Sequence, residues 1–290
     1  MLMISRALLL FAAAGSVVAP APVAPARNSS VLKLALRRQV KSPSSTDFSW
    51  ETSIEHGDWK ANETALILID LWNCHPCDAM WHRTTDVAFR VNRTASSLRA
   101  RGVHILHSPS DNALKFYAQS PARARVVAAP PTKPPRAVNL TNPAPLPLAT
   151  PGLRQGCPDS PDSTDTTPGN TCHIYRQSSL IFIDEERDGV LDSNSGSEAH
   201  SYLKSVGVKH LLYVGVASNM CVMHREDATL NMVSWGWDVA VVRDEVDAMY
   251  SPQDSPYVSH EVANEIQASY FEQHVCPTVH SHQLDYLVAR

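Results

Sequence analysis

The chain has 290 residues, 43% of them hydrophobic, with 25 Lys and Arg against 29 Asp and Glu, a formal net charge of −4 and six cysteines. That length allows one large domain or two small ones. The mild charge and scattered Lys and Arg exclude an electrostatically driven nucleic-acid or membrane-surface partner.

Met1 to Arg6 is positively charged, Ala7 to Val18 is apolar, and small residues with prolines follow from Ala19. Residues 1–26 thus have the layout of a cleavable secretory signal, too short to span a bilayer. Sequons at Asn28, Asn62, Asn92 and Asn139 agree with a eukaryotic secretory route and mark candidate glycosylation sites. The expected location is secreted, or the lumen of the secretory pathway, where cysteines are read first as disulfides. Residues 27–47, mostly Ala, Pro, Ser and basic residues with no sustained period, read as a flexible arm.

Strands and helices then alternate. Ala65 to Ile69 is an unbroken apolar run ending at Asp70, which suits a strand buried on both faces. Asp86 to Arg101 is amphipathic and stops at Gly102, as a helix should, and Val103 to His107 is a second strand. Around residues 128–171 the chain turns rich in Pro, Ser and Thr, a long or partly disordered insertion. Leu180 to Ile183 reads as a third strand, Glu198 to Val206 as a helix stopped by Gly207, and His210 to Val214 as the next strand. Met220 to Trp235 reads as one helix stopped by Gly236, Asp238 to Val242 as a strand, and Glu261 to Glu272 as a closing helix. The alternation predicts one α/β domain over 48–290, a three-layer αβα, Rossmann-like fold with about six parallel strands and helices on both faces. Ligands in such sheets sit beyond the C-terminal strand ends. That rule selects Asp70, His107 to Asp111, Gly215 to Cys221, and Arg243-Asp244.

A carboxylate at the end of a buried strand needs partners, so Asp70 is either a structural cap or an acid/base group. Cys221 follows the turn Gly215-Val216-Ala217-Ser218-Asn219 and opens a helix, where unpaired N–H groups favour a thiolate and an oxyanion. A lone cysteine there is more often core, but Asp70 at the end of another strand puts two reactive groups in one crevice. Cys74-His75-Pro76-Cys77 behind a strand invites a rival, thioredoxin-like redox reading.

Ala65 to Asn73 resembles the first strand of isochorismatase-like cysteine hydrolases, whose catalytic aspartate ends a strand of this kind. Gly215-Val216-Ala217-Ser218-Asn219-Met220-Cys221-Val222 is similar to that family's nucleophile turn, and Val241 to Ala248 to its following strand and acidic loop. The order and spacing fit roughly residues 48–290. A less studied subgroup is the nearest match, on His107-Ser108-Pro109-Ser110-Asp111, Lys115-Phe116-Tyr117, Asp247 to Pro252 and Cys276-Pro277-Thr278. The resemblance implies a triad of aspartate, lysine and cysteine, of which Asp70 and Cys221 carry over. It also implies a cis peptide between Val216 and Ala217 and an oxyanion hole from the backbone N–H groups of Ala217 and Cys221.

The family lysine is absent: Ile183-Asp184-Glu185-Glu186-Arg187-Asp188 stands where it is expected. Arg187 is one replacement cation and Lys115 another, although arginine cannot shuttle protons. The nicotinamidase branch's Asp-x-His metal site is replaced by Ser110-Asp111-Asn112, so no metal is expected, and no cofactor. Trp72, His75, Asp111 and Asn219 are the expected substrate-pocket residues. Cys77, Cys157, Cys172 and Cys276 are the disulfide candidates, with three connectivities, leaving Cys74 the odd one near the site and able to pair with Cys77 or Cys221.

The sequence thus predicts a secreted cysteine hydrolase acting on a small-molecule amide or ureido C–N bond through Cys221 and Asp70. The alternatives are a catalytically impaired descendant that binds a ligand or partner, and the redox protein. A small-molecule substrate is the expected partner, homo-oligomerisation is compatible, and nucleic acid and membrane are not expected.

Overall fold

The computed structural model describes residues 30–42, 49–135, 141–148 and 172–284. In chain order the strands and helices are β1 (Val31–Lys41), β2 (Trp50–Lys60), β3 (Thr64–Ile69), α1 (Asp78–Arg101), β4 (His104–Ser108), α2 (Asp111–Leu114), α3 (Pro121–Val127), β5 (Gly189–Val190), α4 (Gly196–Ser205), β6 (His210–Val216), α5 (Cys221–His224), α6 (Thr229–Ser234), β7 (Asp238–Asp247), α7 (His260–His274) and β8 (Thr278–Val279). They form one eight-stranded sheet in the order β2-β1-β8-β7-β6-β3-β4-β5. The run from β8 to β5 is parallel throughout, and the β1–β2 hairpin adds antiparallel strands at one edge.

Strands that are apolar at every position still divide their side chains between two faces, because successive residues point opposite ways. Leu66 and Leu68 of β3, with Leu212 and Val214 of β6, pack against Val87, Val91 and Leu98 of α1. Ala65, Ile67 and Ile69, with Leu211 and Tyr213, pack on the opposite side against Leu203 of α4, Met232 of α6 and Phe271 of α7. Two cores flank one sheet, the three-layer arrangement expected of such runs. Among the described residues no helix is long and apolar enough to cross a membrane.

Four sequence expectations change. The arm expected at 27–47 contains β1: Leu32, Leu34 and Leu36 alternate into the α1-side core while β2 pairs along the full length of the strand. Leu180 to Ile183 is not a strand, because its main chain is engaged by side chains instead of a ladder. Phe182 N–H donates to Asn92 Oδ1 at 2.9 Å, and Arg99 Nη2 donates to Phe182 O at 3.3 Å. The third parallel strand is β5, paired with β4. The helix expected over Met220 to Trp235 is broken into α5 and α6, since Arg225 is extended at φ −62°, ψ 161°. Part of the insertion is docked: Leu148 is buried with Ala248, Tyr250 and Ala263, and Tyr270 Oη donates to Ala144 O at 2.8 Å. Residues 1–29, the proposed signal among them, lie outside the described residues.

Gly215 brings the two site-bearing strand ends together. Its φ is +107°, and a Cβ there would lie 2.0 Å from Ile69 O, immediately before Asp70. The β6–β7 register also shifts between Tyr213 and Gly215, which bends the strand towards its turn. Gly215→Ala must therefore both adopt an unfavourable φ and push β3 away. It is expected to cost at least about 2 kcal/mol; an unchanged urea midpoint would show that the backbone has room.

Candidate active site

Asp70, Cys221 and Arg225 converge from three directions on the C-terminal end of the sheet. Asp70 leaves β3 in the left-handed region, φ +49°, and is only 1% exposed. Arg225 Nη2 donates to Asp70 Oδ2 at 2.5 Å, and its Nη1 donates to Pro109 O at 3.4 Å. The Cys221 thiol and the Trp72 indole also act on the Asp70 carboxyl group. Burial pushes Asp70 up to about 6, against the opposing pull of the Arg225 charge. Arg225 loses some preference for its charge through burial, but Asp70 and then Cys221 outweigh that and raise its pKa.

Cys221 is a free, half-buried thiol at the first position of α5. A helix N-terminus would lower its pKa. Instead burial, and then the Asp70 charge, push it up to about 12 against the pull of Arg225. A four-residue helix supplies little dipole, and desolvation wins.

The turn before Cys221 is held from below. The Val216–Ala217 peptide is cis, as the resemblance implied. Ser218 N–H donates to Asp247 O at 2.7 Å, and Gln267 Nε2 donates to Ser218 O at 3.4 Å. Asn219 is committed at both ends of its amide: Nδ2 donates to Met249 O and Oδ1 accepts from Met249 N–H, each at 2.9 Å. It thereby braces the loop after β7. The Asp247 side chain is fixed by Arg83 Nε at 3.0 Å, His260 Nε2 at 2.9 Å and Asn264 Nδ2 at 2.8 Å. Against this rigid base the backbone N–H groups of Ala217 and Cys221 have no protein acceptor among the described residues.

An apolar cluster lies beside the turn that carries the thiol, while Cys221 itself packs against the core on the α4/α6/α7 side of the sheet. Trp72, Met80, Val216 and Ala217 cluster with Ile174, Met220 and Met249. His75 stacks on Trp72 with centroids 4.8 Å apart, and its Nδ1 accepts from Cys77 N–H at 3.0 Å. Burial lowers the His75 pKa, so its ring is neutral at pH 7. Ile174 belongs to a strap, residues 172–178, that returns from the insertion and runs beside the loop after β3. Cys172 is bonded to Cys74, Asn73 N–H donates to Arg176 O at 3.1 Å, and Ser178 N–H donates to Leu71 O at 2.7 Å. The far end of the strap is rooted in the core, where Gln177 meets His107 and His107 Nε2 lies 3.0 Å from Asp188. Arg99 holds Asp188 with two bonds. Burial works to raise Asp188, but the His107 and Arg99 bonds hold it down at about 2. His107 is therefore occupied with anchoring the strap.

Several expected site residues lie elsewhere. Arg187 is exposed and paired with Asp184 at 2.6 Å, and Lys115 is exposed; the cation facing Asp70 and Cys221 is Arg225. The spacing of Arg225, four residues after Cys221, was the available signal, but a continuous helix would have turned it along the helix instead of back to β3. Cys74 is not the odd cysteine and does not pair with Cys77 or Cys221, because Cys172 takes it. Cys77 is also disulfide-bonded, whereas Cys276 is free and buried, so Cys276 leaves the candidate disulfides and no Cys74/Cys77 dithiol exists. Asn62 and Asn92 are half-buried, and the Asn92 carbonyl is taken by Phe182. Asp111 opens α2, but its side chain lies outside the described portion, as do Cys157, Asn28 and Asn139. Among the described residues no cluster of His, Cys, Asp or Glu is arranged to hold a metal ion.

No family model and no curated protein matches the chain. Among solved structures it is similar to a cysteine hydrolase from Pseudomonas syringae pv. phaseolicola, at 14% identity, TM-score 0.49, covering 78% of this chain and 92% of that one. An isochorismatase family protein from Burkholderia thailandensis matches at 16% identity and TM-score 0.42, over 77% and 93% of the two chains. An isochorismatase from Pseudomonas putida matches at 13% and 0.44, over 77% and 90%. The likeness is to isochorismatase-family cysteine hydrolases. Identities of 13–16% and TM-scores below 0.5 leave the chemistry to be read from this chain's own residues.

The two charges that act on Cys221 give opposite expectations. Asp70→Asn removes the anion that raises the thiol and frees Arg225, so iodoacetamide alkylation of Cys221 at pH 8 should speed up by about tenfold or more. Arg225→Met should slow it. Equal rates in all three proteins would show that neither charge reaches the sulfur.

Proposed function

We propose that the protein is a cysteine hydrolase of small-molecule amide or ureido C–N bonds, secreted or resident in the lumen of the secretory pathway. The observation that carries this reading is the meeting of one free thiol, one buried carboxylate and one guanidinium beside two acceptorless backbone N–H groups.

The thiol is protonated across physiological pH, so it must be deprotonated as it reacts. Asp70 takes the Sγ proton while Sγ bonds to the substrate carbonyl carbon. The carbonyl oxygen becomes an oxyanion and is held by the N–H groups of Ala217 and Cys221. Asp70 then passes its proton to the leaving nitrogen as the C–N bond breaks, giving a thioester and a free amine or ammonia. Water adds to the thioester, Asp70 takes its proton, and the acid leaves as the thiol is restored. Arg225 carries a fixed positive charge through these steps; it holds Asp70 and compensates the negative charge that moves between carboxylate and sulfur. The apolar cluster of Trp72, Ile174, Met220 and Met249 beside the turn favours a substrate with an apolar non-reacting part.

The impaired-descendant alternative drew its support from the missing lysine, and Arg225 supplies a cation in that role. Secretion is supported by the signal-like N-terminus and by the Cys74–Cys172 disulfide.

Ammonia release from a panel of small primary amides and ureido acids tests the reading. Cys221→Ala and Asp70→Asn should each lower kcat/KM by about 10³-fold or more. For Asp70→Asn that loss should coincide with faster alkylation of Cys221, which separates a lost base from a lost fold. Because the ionised carboxylate is the base, kcat/KM should rise with pH through about 6, where Asp70 loses its proton. A hydrolysis rate unchanged in Cys221→Ala would end the proposal.

A further inference from the structure

Two residues beyond Arg225 the chain buries a second carboxylate. Asp227 is 0% exposed, and neither of its carboxylate oxygens has a hydrogen-bond partner of ordinary geometry among the described residues. Its main chain is fixed: Tyr213 of β6 donates its hydroxyl proton to Asp227 O at 2.6 Å, and Ala228 N–H donates to Arg225 O at 3.0 Å. The groups facing the carboxyl are Arg225 from its own segment, Asp70 from the end of β3, the Ser108 hydroxyl from β4 and Tyr213 from β6. Ser108 also accepts Asp70 N–H on its carbonyl at 3.3 Å, so this cluster is continuous with the thiol site. One guanidinium therefore serves two buried carboxylates and a thiol.

No step of the hydrolysis uses Asp227. A buried acid with so few partners is costly to keep, and an apolar residue would fill the space more cheaply. We propose that Asp227 is a positioning residue for Arg225: protonated, it leaves the guanidinium charge to Asp70 and Cys221, and ionised, it draws that charge away from them. This inference rests on the hydrolase reading of those three residues and adds an alkaline limit to it. Burial pushes Asp227 up to about 7, with the Ser108 hydroxyl and then Arg225 pulling it down. The site is then at its best after Asp70 has lost its proton and before Asp227 has.

Alkylation of Cys221 by iodoacetamide, followed by mass spectrometry of the Cys221 peptide from about pH 5.5 to about pH 9, tests this without a known substrate. Asp227→Asn should match the parent at the acid end and run increasingly faster above about pH 7. The gap should approach tenfold, the effect of about one unit in the thiol pKa. Ser108→Ala, which removes a group favouring ionised Asp227, should move the profile the same way by less. Parallel profiles for Asp227→Asn and the parent, with both folded by circular dichroism, overturn the proposal. If Asp227→Asn does not fold, an unchanged profile in Ser108→Ala overturns it instead. Alkylation that ignores Asp70→Asn and Arg225→Met sinks the hydrolase reading itself; a response to those two with none to Asp227→Asn sinks only the role of Asp227.

Discussion

The Asp70–Arg225 ion pair is the interaction on which the rest of the site depends. A carboxylate at 1% exposure costs several kcal/mol to bury unless a cation and hydrogen bonds accompany it. The fold supplies that cation by breaking a helix: α5 ends after four residues, Arg225 turns extended, and its guanidinium reaches back across the sheet to the end of β3. The close approach at Gly215 keeps the two strand ends near enough for this reach. Because arginine stays protonated, it can hold charge but cannot carry a proton, so in the proposed hydrolysis proton transfer falls to Asp70.

The electrostatics of the three groups also decide when the nucleophile exists. A thiol pushed up to about 12, first by burial and then by the Asp70 charge, is mostly protonated at neutral pH and so reacts slowly with oxidants and electrophiles. In the proposed hydrolysis, reactivity arises where a carbonyl carbon is held over Sγ and its oxygen faces the N–H groups of Ala217 and Cys221, since bond formation then stabilises the charge that proton loss creates. Such a site trades resting reactivity for selectivity.

Much of this was legible in the sequence. Unbroken apolar runs identified β3, β4, β6 and β7, and glycines after periodic segments marked helix ends at Gly102, Gly207 and Gly236, all of which take positive φ. Asp70 and Cys221 could be read from strand ends and a turn. What escaped depends on contacts distant in sequence. The alternation of Leu32, Leu34 and Leu36 was obscured by the Ala- and Pro-rich residues around it, and the run at Leu180 to Ile183 was apolar without being a strand because Asn92 and Arg99 engage its backbone. Arg225 escaped because helical periodicity continues through it in the sequence, whereas its extended backbone and its bond to Asp70 belong to the folded arrangement. The cysteine pairing could not be derived at all, since Cys74 and Cys172 are 98 residues apart.

That separation closes a ring in the covalent structure. Everything from Cys74 to Cys172, including α1 and β4, lies on a loop whose ends meet beside the thiol site. A single backbone cut anywhere on that loop leaves the two fragments joined through sulfur, with the strap and its Ile174 still tied to the chain that carries Asp70. The proline-rich stretch on the loop can therefore vary in length, or be nicked by a protease, without releasing Ile174 from the chain that carries Asp70.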